Sequence, residues 1–178
     1  VCPNPTTGNV DALAALLRRA DAGFVLAVGG GSVMDCAKAA ACLAITGDEN
    51  IRPFHSEGRP LPGRALPVIA MPTTAGTGAE VTPFSVLDDR DKGVKAPLAG
   101  PALYPACALV DPELTRSMPR AVTAATGLDA LAHAIEGYWS GNHQPVCDLL
   151  AKEAARQIFA HLETALRAPD NPRAREAM

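Results

Sequence analysis

The chain has 178 residues, 48% of them apolar and 20% charged, with 16 Lys+Arg against 19 Asp+Glu for a net charge of −3. That balance excludes a disordered chain and a basic nucleic-acid-binding surface, and no apolar run reaches the ~18 residues that a bilayer span needs. Five scattered cysteines (Cys2, Cys36, Cys42, Cys107 and Cys147) form no CxxC pair and no zinc spacing, which predicts reduced thiols in a soluble, cytoplasmic protein without nucleic-acid or membrane partners.

Asp11 to Ala20 reads as a helix on Leu13, Leu16 and Leu17. Phe24 to Val28 is a continuous apolar run ending at Gly29, the pattern of a strand buried on both faces. Ser32 to Ile45 is apolar nearly all round and predicts a buried helix. Residues 47–63, with Pro53, Gly58, Pro60 and Pro62, read as a loop. Pro67 to Met71 is a second buried strand, running into Pro72-Thr73-Thr74. Thr82 to Leu87 is β-prone, with Pro83 assigning it to an edge or a hairpin. Ala106 to Val110 is a third strand. Beyond Pro119 the strand signals stop, and Ala121 to Trp139 and Pro145 to Leu166 are both helical by period. The expectation is an α/β unit with a parallel sheet over 1–118, followed by the start of an all-helical unit over 119–178. Opening on Val1, the chain is expected to be a segment of a longer protein.

Two turns attract attention. Gly29-Gly30-Gly31-Ser32 joins a buried strand to a buried helix, where glycines permit close backbone approach and free amides at the helix start suit an anion such as pyrophosphate. It matches neither GxGxxG nor a Walker A loop, and the plain alternative is a tight connection with a Ser cap. Thr73, Thr74 and Thr77, interleaved with Gly76 and Gly78, follow the second strand and offer hydroxyl and backbone donors, or simply cap the next element. Both turns would lie at the carboxyl ends of parallel strands, where open α/β sheets bind ligands, and together they favour a nucleotide. Lys38 and Lys95 are candidate cations for its phosphates, although Lys38 also fits an i,i+3 pair with Asp35, and Lys95, read as a loop residue, fits a solvated one. Asp111-Pro112-Glu113-Leu114-Thr115 is a turn that would wall the same crevice.

Asp129 and His133 stand at i and i+4, so both side chains leave one helix face, where carboxylate and imidazole suit Fe(II), Zn(II) or Mn(II). They also fit a plain helix pair, and two ligands fall short of the usual three or four. Glu136, three residues past His133, is placed either to hold the imidazole or to interact with solvent. His55, His143 and His161 have no ligand spacing.

Taken in order, Gly29-Gly30-Gly31-Ser32 with Asp35 and Lys38, the Pro72 to Thr82 stretch, Asp111 to Thr115, and Thr126-Gly127-Leu128-Asp129 with His133 and Glu136 resemble the iron-containing (group III) alcohol dehydrogenases. The likeness runs from about Asn4 to about Leu166. It implies a Rossmann-like dinucleotide-binding domain followed by a helical metal-binding one, and hydride transfer between a small alcohol or aldehyde and NAD or NADP beside Fe(II) or Zn(II). Carried over by position, Asn4, Gly31, Ser32, Asp35, Thr73, Thr74, Thr77, Thr82 and Lys95 look like cofactor contacts, with Gly30 allowing close approach. Asp129 and His133 look like two of four metal ligands, the other two being histidines expected beyond Met178. No catalytic residue is implied beyond the metal ligands, and the second hold on the imidazole is left unnamed. The family's opening strand, which helps select NAD over NADP, is also missing, and Ala79 departs from a common serine. Trp139, Asn142 and Pro145 resemble members acting on small, sometimes anionic, aldehydes. Homodimers are common in the family. Glycerol-dehydrogenase-like and dehydroquinate-synthase-like enzymes share the architecture, and a non-catalytic nucleotide-binding fragment is the reading from another class.

Overall fold

The computed structural model describes residues 3–178, so the expectation about Cys2 lies outside the described residues. The chain forms two units, one of Val1–Pro72 with Gly78–Val110, the other of Thr73–Thr77 with Asp111–Met178.

In the first unit, helix α1 (Thr7–Arg19) starts four residues ahead of the predicted Asp11. The cause is a capping box: Thr6 Oγ1 accepts the Asn9 amide at 3.2 Å while Asn9 Oδ1 accepts the Thr6 amide at 3.1 Å. Asparagine takes the place of the usual Glu or Gln, which hides the start. Strands β1 (Val25–Gly29), β2 (Val68–Pro72) and β5 (Cys107–Ala108) form a parallel sheet in the order β1-β2-β5. The register pairs Val25 with Val68 and Gly29 with Pro72. The third strand is shorter than predicted, but the Ala106 and Leu109 amides on either side of it still donate to Val68 and Ala70.

Helix α2 (Gly31–Ala44) is the buried helix the composition requires. Met34, Ala37 and Ala41 pack against Val25, Ala27, Val68 and Ala70 of the sheet. Cys36, Ala39, Ala40 and Leu43 pack on the other side with Val10 and Ala14 of α1. Small side chains let both layers come close to the helix axis. Burial of β1 on both faces does not hold: Leu26 and Val28 remain 53% and 47% exposed, since α2 covers only the face carrying Val25 and Ala27. Nor is 47–63 wholly loop. Pro53 sits in the first turn of α3 (Arg52–His55), where its missing N–H costs nothing, and Phe54 and His55 are buried.

Strands β3 (Phe84–Asp89) and β4 (Val94–Ala99) form the antiparallel hairpin that Pro83 suggested. Lys95 is therefore a strand residue, opposite Asp88, and not part of a loop. Only Leu98 of β4 is buried and Pro97 interrupts its donors, so the segment lacks an apolar strand signature.

The second unit contains α4 (Arg120–Trp139), α5 (Pro145–Arg167) and α6 (Pro172–Ala177), close to the two long helices predicted. Thr123, Gly127 and Ala134 form the buried stripe of α4. A Cβ at Gly127 would stand 2.5 Å from Leu162 Cδ1 of α5. The Arg175 guanidinium of α6 donates to Thr123 Oγ1 at 3.2 Å and to the Pro169 carbonyl at 2.8 Å. Among the described residues no helix is long and apolar enough to cross a membrane.

Candidate functional site

At the end of β1, Gly29 has φ +156°, and a Cβ there would lie 2.8 Å from Val33 Cβ and 2.6 Å from its Cγ2. Gly30, not Ser32, is the N-cap of α2; no side chain caps this end, and no acidic residue occupies its first turn. The helix start thus keeps the positive potential that attracts anions. Ser32 Oγ instead accepts the Asn4 amide at 3.2 Å, and Asn4, in a left-handed conformation at φ +58°, accepts Lys95 Nζ on its side-chain oxygen at 2.8 Å. Asn4, Ser32 and Lys95, 91 residues apart at the extremes, are joined by hydrogen bonds beside Gly30 and Gly31. Because Gly29 and Pro72 are register partners, the chain leaves β1 and β2 for both turns at the same carboxyl end of the sheet.

Lys38 does not serve as a free cation. Its side chain is fully buried, donates to the Ala79 carbonyl at 2.8 Å and the Thr82 carbonyl at 3.2 Å, and pairs with Asp35 Oδ1 at 3.4 Å. Asp35 Oδ2 accepts the Val86 amide at 2.9 Å, and Ser85 Oγ donates to the Asp35 carbonyl at 2.8 Å. Burial lowers the Lys38 pKa against the pull of Asp35 and Glu80. Burial likewise raises that of Asp35 against the Val86 amide and Lys38. The pair fastens α2 to β3 and to the chain that follows the threonine turn; Thr82 takes part through its carbonyl.

The threonine turn groups with the helical unit: Thr73–Thr77, carrying Thr73, Thr74 and Thr77, cluster with Asp111–Met178. So does the Asp111 turn, where the Asp111 side chain accepts the Glu113 amide. The Gly76 carbonyl lies 2.9 Å from His133 Nδ1. A carbonyl can only accept, so Nδ1 carries the proton and Nε2 keeps its lone pair. That Nε2 lies 4.0 Å from Asp129 Oδ1, and both side chains are about half exposed. The hold on the imidazole that the resemblance leaves unnamed is the Gly76 carbonyl, 57 residues away in sequence, and not Glu136. The only sequence signal for Gly76 was a glycine within a threonine-rich turn, and a backbone acceptor leaves no further mark.

One oxygen and one nitrogen donor on a shared face, with the second ring nitrogen tied to a carbonyl, are the donor set and outer hold of a divalent cation of the iron or zinc kind. The residues present fit such an ion. Among the described residues no third His, Cys, Asp or Glu joins them. His55 Nε2 is bonded to the Ala96 carbonyl, and His143 Nδ1 to Asp148 Oδ2 at 2.9 Å.

The chain matches the family described as iron-containing alcohol dehydrogenase over residues 1–112, and that described as Fe-containing alcohol dehydrogenase family, C-terminal, over 123–178. It is 43% identical over 181 residues to the probable alcohol dehydrogenase EutG of Salmonella typhimurium, covering 99% of this chain and 45% of that protein. It is 39% identical over 170 residues to the 1-propanol dehydrogenase PduQ of the same organism, covering 96% and 42%. Among solved structures, the sulfoacetaldehyde reductase of Bifidobacterium kashiwanohense in complex with NAD+ superposes with a TM-score of 0.96 at 49% identity, covering 99% of this chain and 46% of that one. The chain spans less than half the length of these relatives. With both family matches in chain order and the parallel sheet reproduced, this chain belongs to the iron-containing alcohol dehydrogenase family.

Proposed function

We propose that the protein carrying this chain is an NAD(P)-dependent, metal-dependent alcohol dehydrogenase or aldehyde reductase, with residues 1–118 serving the nucleotide and 119–178 the metal and the substrate. The observation that carries the reading is the Asp129–His133 pair, with Nδ1 tied to the Gly76 carbonyl and Nε2 left as a donor 4.0 Å from the carboxylate.

The amides at Gly30 and Gly31 and the Ser32 hydroxyl receive the pyrophosphate at the start of α2. Lys95, held by Asn4, adds the positive charge. Thr73, Thr74, Thr77 and Thr82 take the remaining polar contacts of the cofactor. Asp35 steadies this arrangement through Lys38 and Val86. Asp129 and His133 would hold the cation and orient it; neither acts as a general base. When bound, the nicotinamide exchanges a hydride with the substrate carbon and the cation polarises the substrate oxygen. Small alcohols and aldehydes, anionic ones included, are the substrate class, in a cytoplasmic homodimer.

The test is NAD(P)H-dependent reduction of short and sulfonated aldehydes by the intact protein loaded with Fe(II) or Zn(II). Asp129→Ala should abolish metal retention and turnover while sparing nucleotide binding. Unchanged metal content in that variant would reject the ligand assignment. The 178 residues alone should bind adenine nucleotide weakly, bind iron or zinc poorly and turn over no alcohol, since only two donors converge among the described residues.

A further inference from the structure

We infer that Gly76 is a positioning residue for His133, and that through it the cofactor turn and the metal pair are thermodynamically linked. The inference rests on the reading of Asp129 and His133 as ligands and of the flanking threonines as cofactor contacts.

Three observations carry it. First, the Gly76 carbonyl accepts from His133 Nδ1 at 2.9 Å, which fixes both the tautomer and the ring plane. Second, Gly76 has φ +99°, and a Cβ there would stand 2.7 Å from the Thr126 carbonyl oxygen and 2.8 Å from Asp129 Oδ2. The first of these is helix backbone and cannot yield, while the second belongs to the other ligand. Only glycine lets the turn lie this close to α4. Third, Gly76 lies within Thr73–Thr77, the same five residues that carry Thr73, Thr74 and Thr77. Ordering those threonines around a cofactor orders the carbonyl between them, and with it the imidazole. Holding the imidazole on a cation orders the turn in the same way. Such coupling is reciprocal: each ligand must raise affinity for the other by one common factor.

The experiment uses the intact protein, stripped of metal, with Zn(II) affinity read by competition against a chromophoric chelator. Gly76→Ala should weaken Zn(II) binding roughly 10–100-fold, the usual effect of losing an outer hold on a ligating histidine. Gly63→Ala, at a glycine where an added Cβ would meet nothing within 4 Å, should bind as wild type. In wild type, saturating NAD+ should tighten Zn(II) severalfold, and saturating Zn(II) should tighten NAD+ by the same factor. In Gly76→Ala that coupling should vanish. Nitrogen NMR of the metal-free wild type at alkaline pH should find His133 protonated on Nδ1. Unchanged Zn(II) affinity in Gly76→Ala, a proton on Nε2, or absence of mutual tightening in wild type would each overturn the inference. Should Gly76→Ala fail to fold, the last two measurements decide alone. If instead Asp129→Ala and His133→Ala keep full Zn(II) affinity, the ligand reading itself has failed. Loss of zinc in those two variants with an unaffected Gly76→Ala sinks only the positioning role.

Discussion

Lys38→Met replaces a fully buried ammonium by an apolar side chain of similar length. In the native protein that ammonium has three partners: the Ala79 carbonyl at 2.8 Å, the Thr82 carbonyl at 3.2 Å and Asp35 Oδ1 at 3.4 Å. Removing one partner of a buried ion pair costs about 3–5 kcal/mol, because the remaining charge is left without compensation. Asp35 keeps the Val86 amide and 15% exposure of its side chain, so the lower end, about 3 kcal/mol, is expected. For a chain of this size that is a fall in Tm of about 6–12 °C. The deficit should depend on pH. Burial already raises the Asp35 pKa above its ordinary 3.8. A carboxyl with a raised native pKa favours the folded state below its ordinary value and loses that contribution as pH rises through the native one. Without Lys38 the native value rises further, so the penalty in Lys38→Met should be greatest near neutrality and shrink on acidification. Adding Asp35→Asn removes the stranded charge while its amide oxygen still accepts from Val86, and the double variant should return to within about 2 kcal/mol of wild type. Urea unfolding followed by circular dichroism across the acid-to-neutral range measures all of this. A Lys38→Met loss below about 0.5 kcal/mol, the level of an ordinary surface substitution, would refute the reasoning.

Gly29→Ala forces a Cβ to 2.6–2.8 Å from Val33 in the first turn of α2, and should cost about 1–3 kcal/mol by overpacking while weakening nucleotide binding by the intact protein more than about tenfold; equilibrium NADH fluorescence titration checks the second figure, and an unaltered Kd contradicts it. Burial pushes the Cys36 and Cys42 thiols up to about 11 and about 12, so alkylation of the native protein followed by peptide mapping should modify the exposed Cys107 and Cys147 and reach Cys36 and Cys42 only after unfolding. Burial works to raise the Asp89 pKa, but the Arg52 guanidinium, bonded to both its oxygens at 3.0 and 3.2 Å, and the Lys92 amide hold it below the ordinary 3.8. Its contribution is present above that ordinary value and lost as pH falls through the native one, so Asp89→Asn should lower Tm at neutral pH and flatten the acid limb of a Tm-against-pH curve.

Elements marked by a continuous apolar run are legible in the sequence. Helix α2 was visible because Met34 and Cys36 to Leu43 are buried without a break, and β1 and β2 because β-rich apolar runs end in turn residues. What escaped was structure whose cause lies in one polar contact or one exposed edge. The start of α1 depends on a reciprocal bond between Thr6 and Asn9, and β4 buries Leu98 alone. Side-chain pairs close in sequence followed the same rule: the Asp129–His133 and Asp35–Lys38 spacings could be read, since helix geometry fixes them. Their outer partners could not. The carbonyls of Gly76, Ala79 and Thr82 become acceptors only through the path of the backbone, and every residue type carries the same carbonyl.

That asymmetry governs how the threonine turn should respond to mutation. Its proposed contacts are side chains, at Thr73, Thr74 and Thr77, while its Gly76 carbonyl accepts from His133, and in the chain that follows it Lys38 donates to the carbonyls of Ala79 and Thr82. Replacing the Thr74 hydroxyl removes one donor and leaves the Gly76 carbonyl on His133, and should change affinity by about the worth of a single hydrogen bond, 0.5–1.5 kcal/mol. Replacing Lys38 releases two carbonyls at once and lets the following residues relax, so every contact downstream of Gly78 loses its placement together. The larger loss of nucleotide affinity should therefore come from Lys38→Met, a residue that touches no ligand, than from Thr74→Val, with both measured in the intact protein under conditions where the variants remain folded. The reverse order would mean that the buried ammonium serves stability alone.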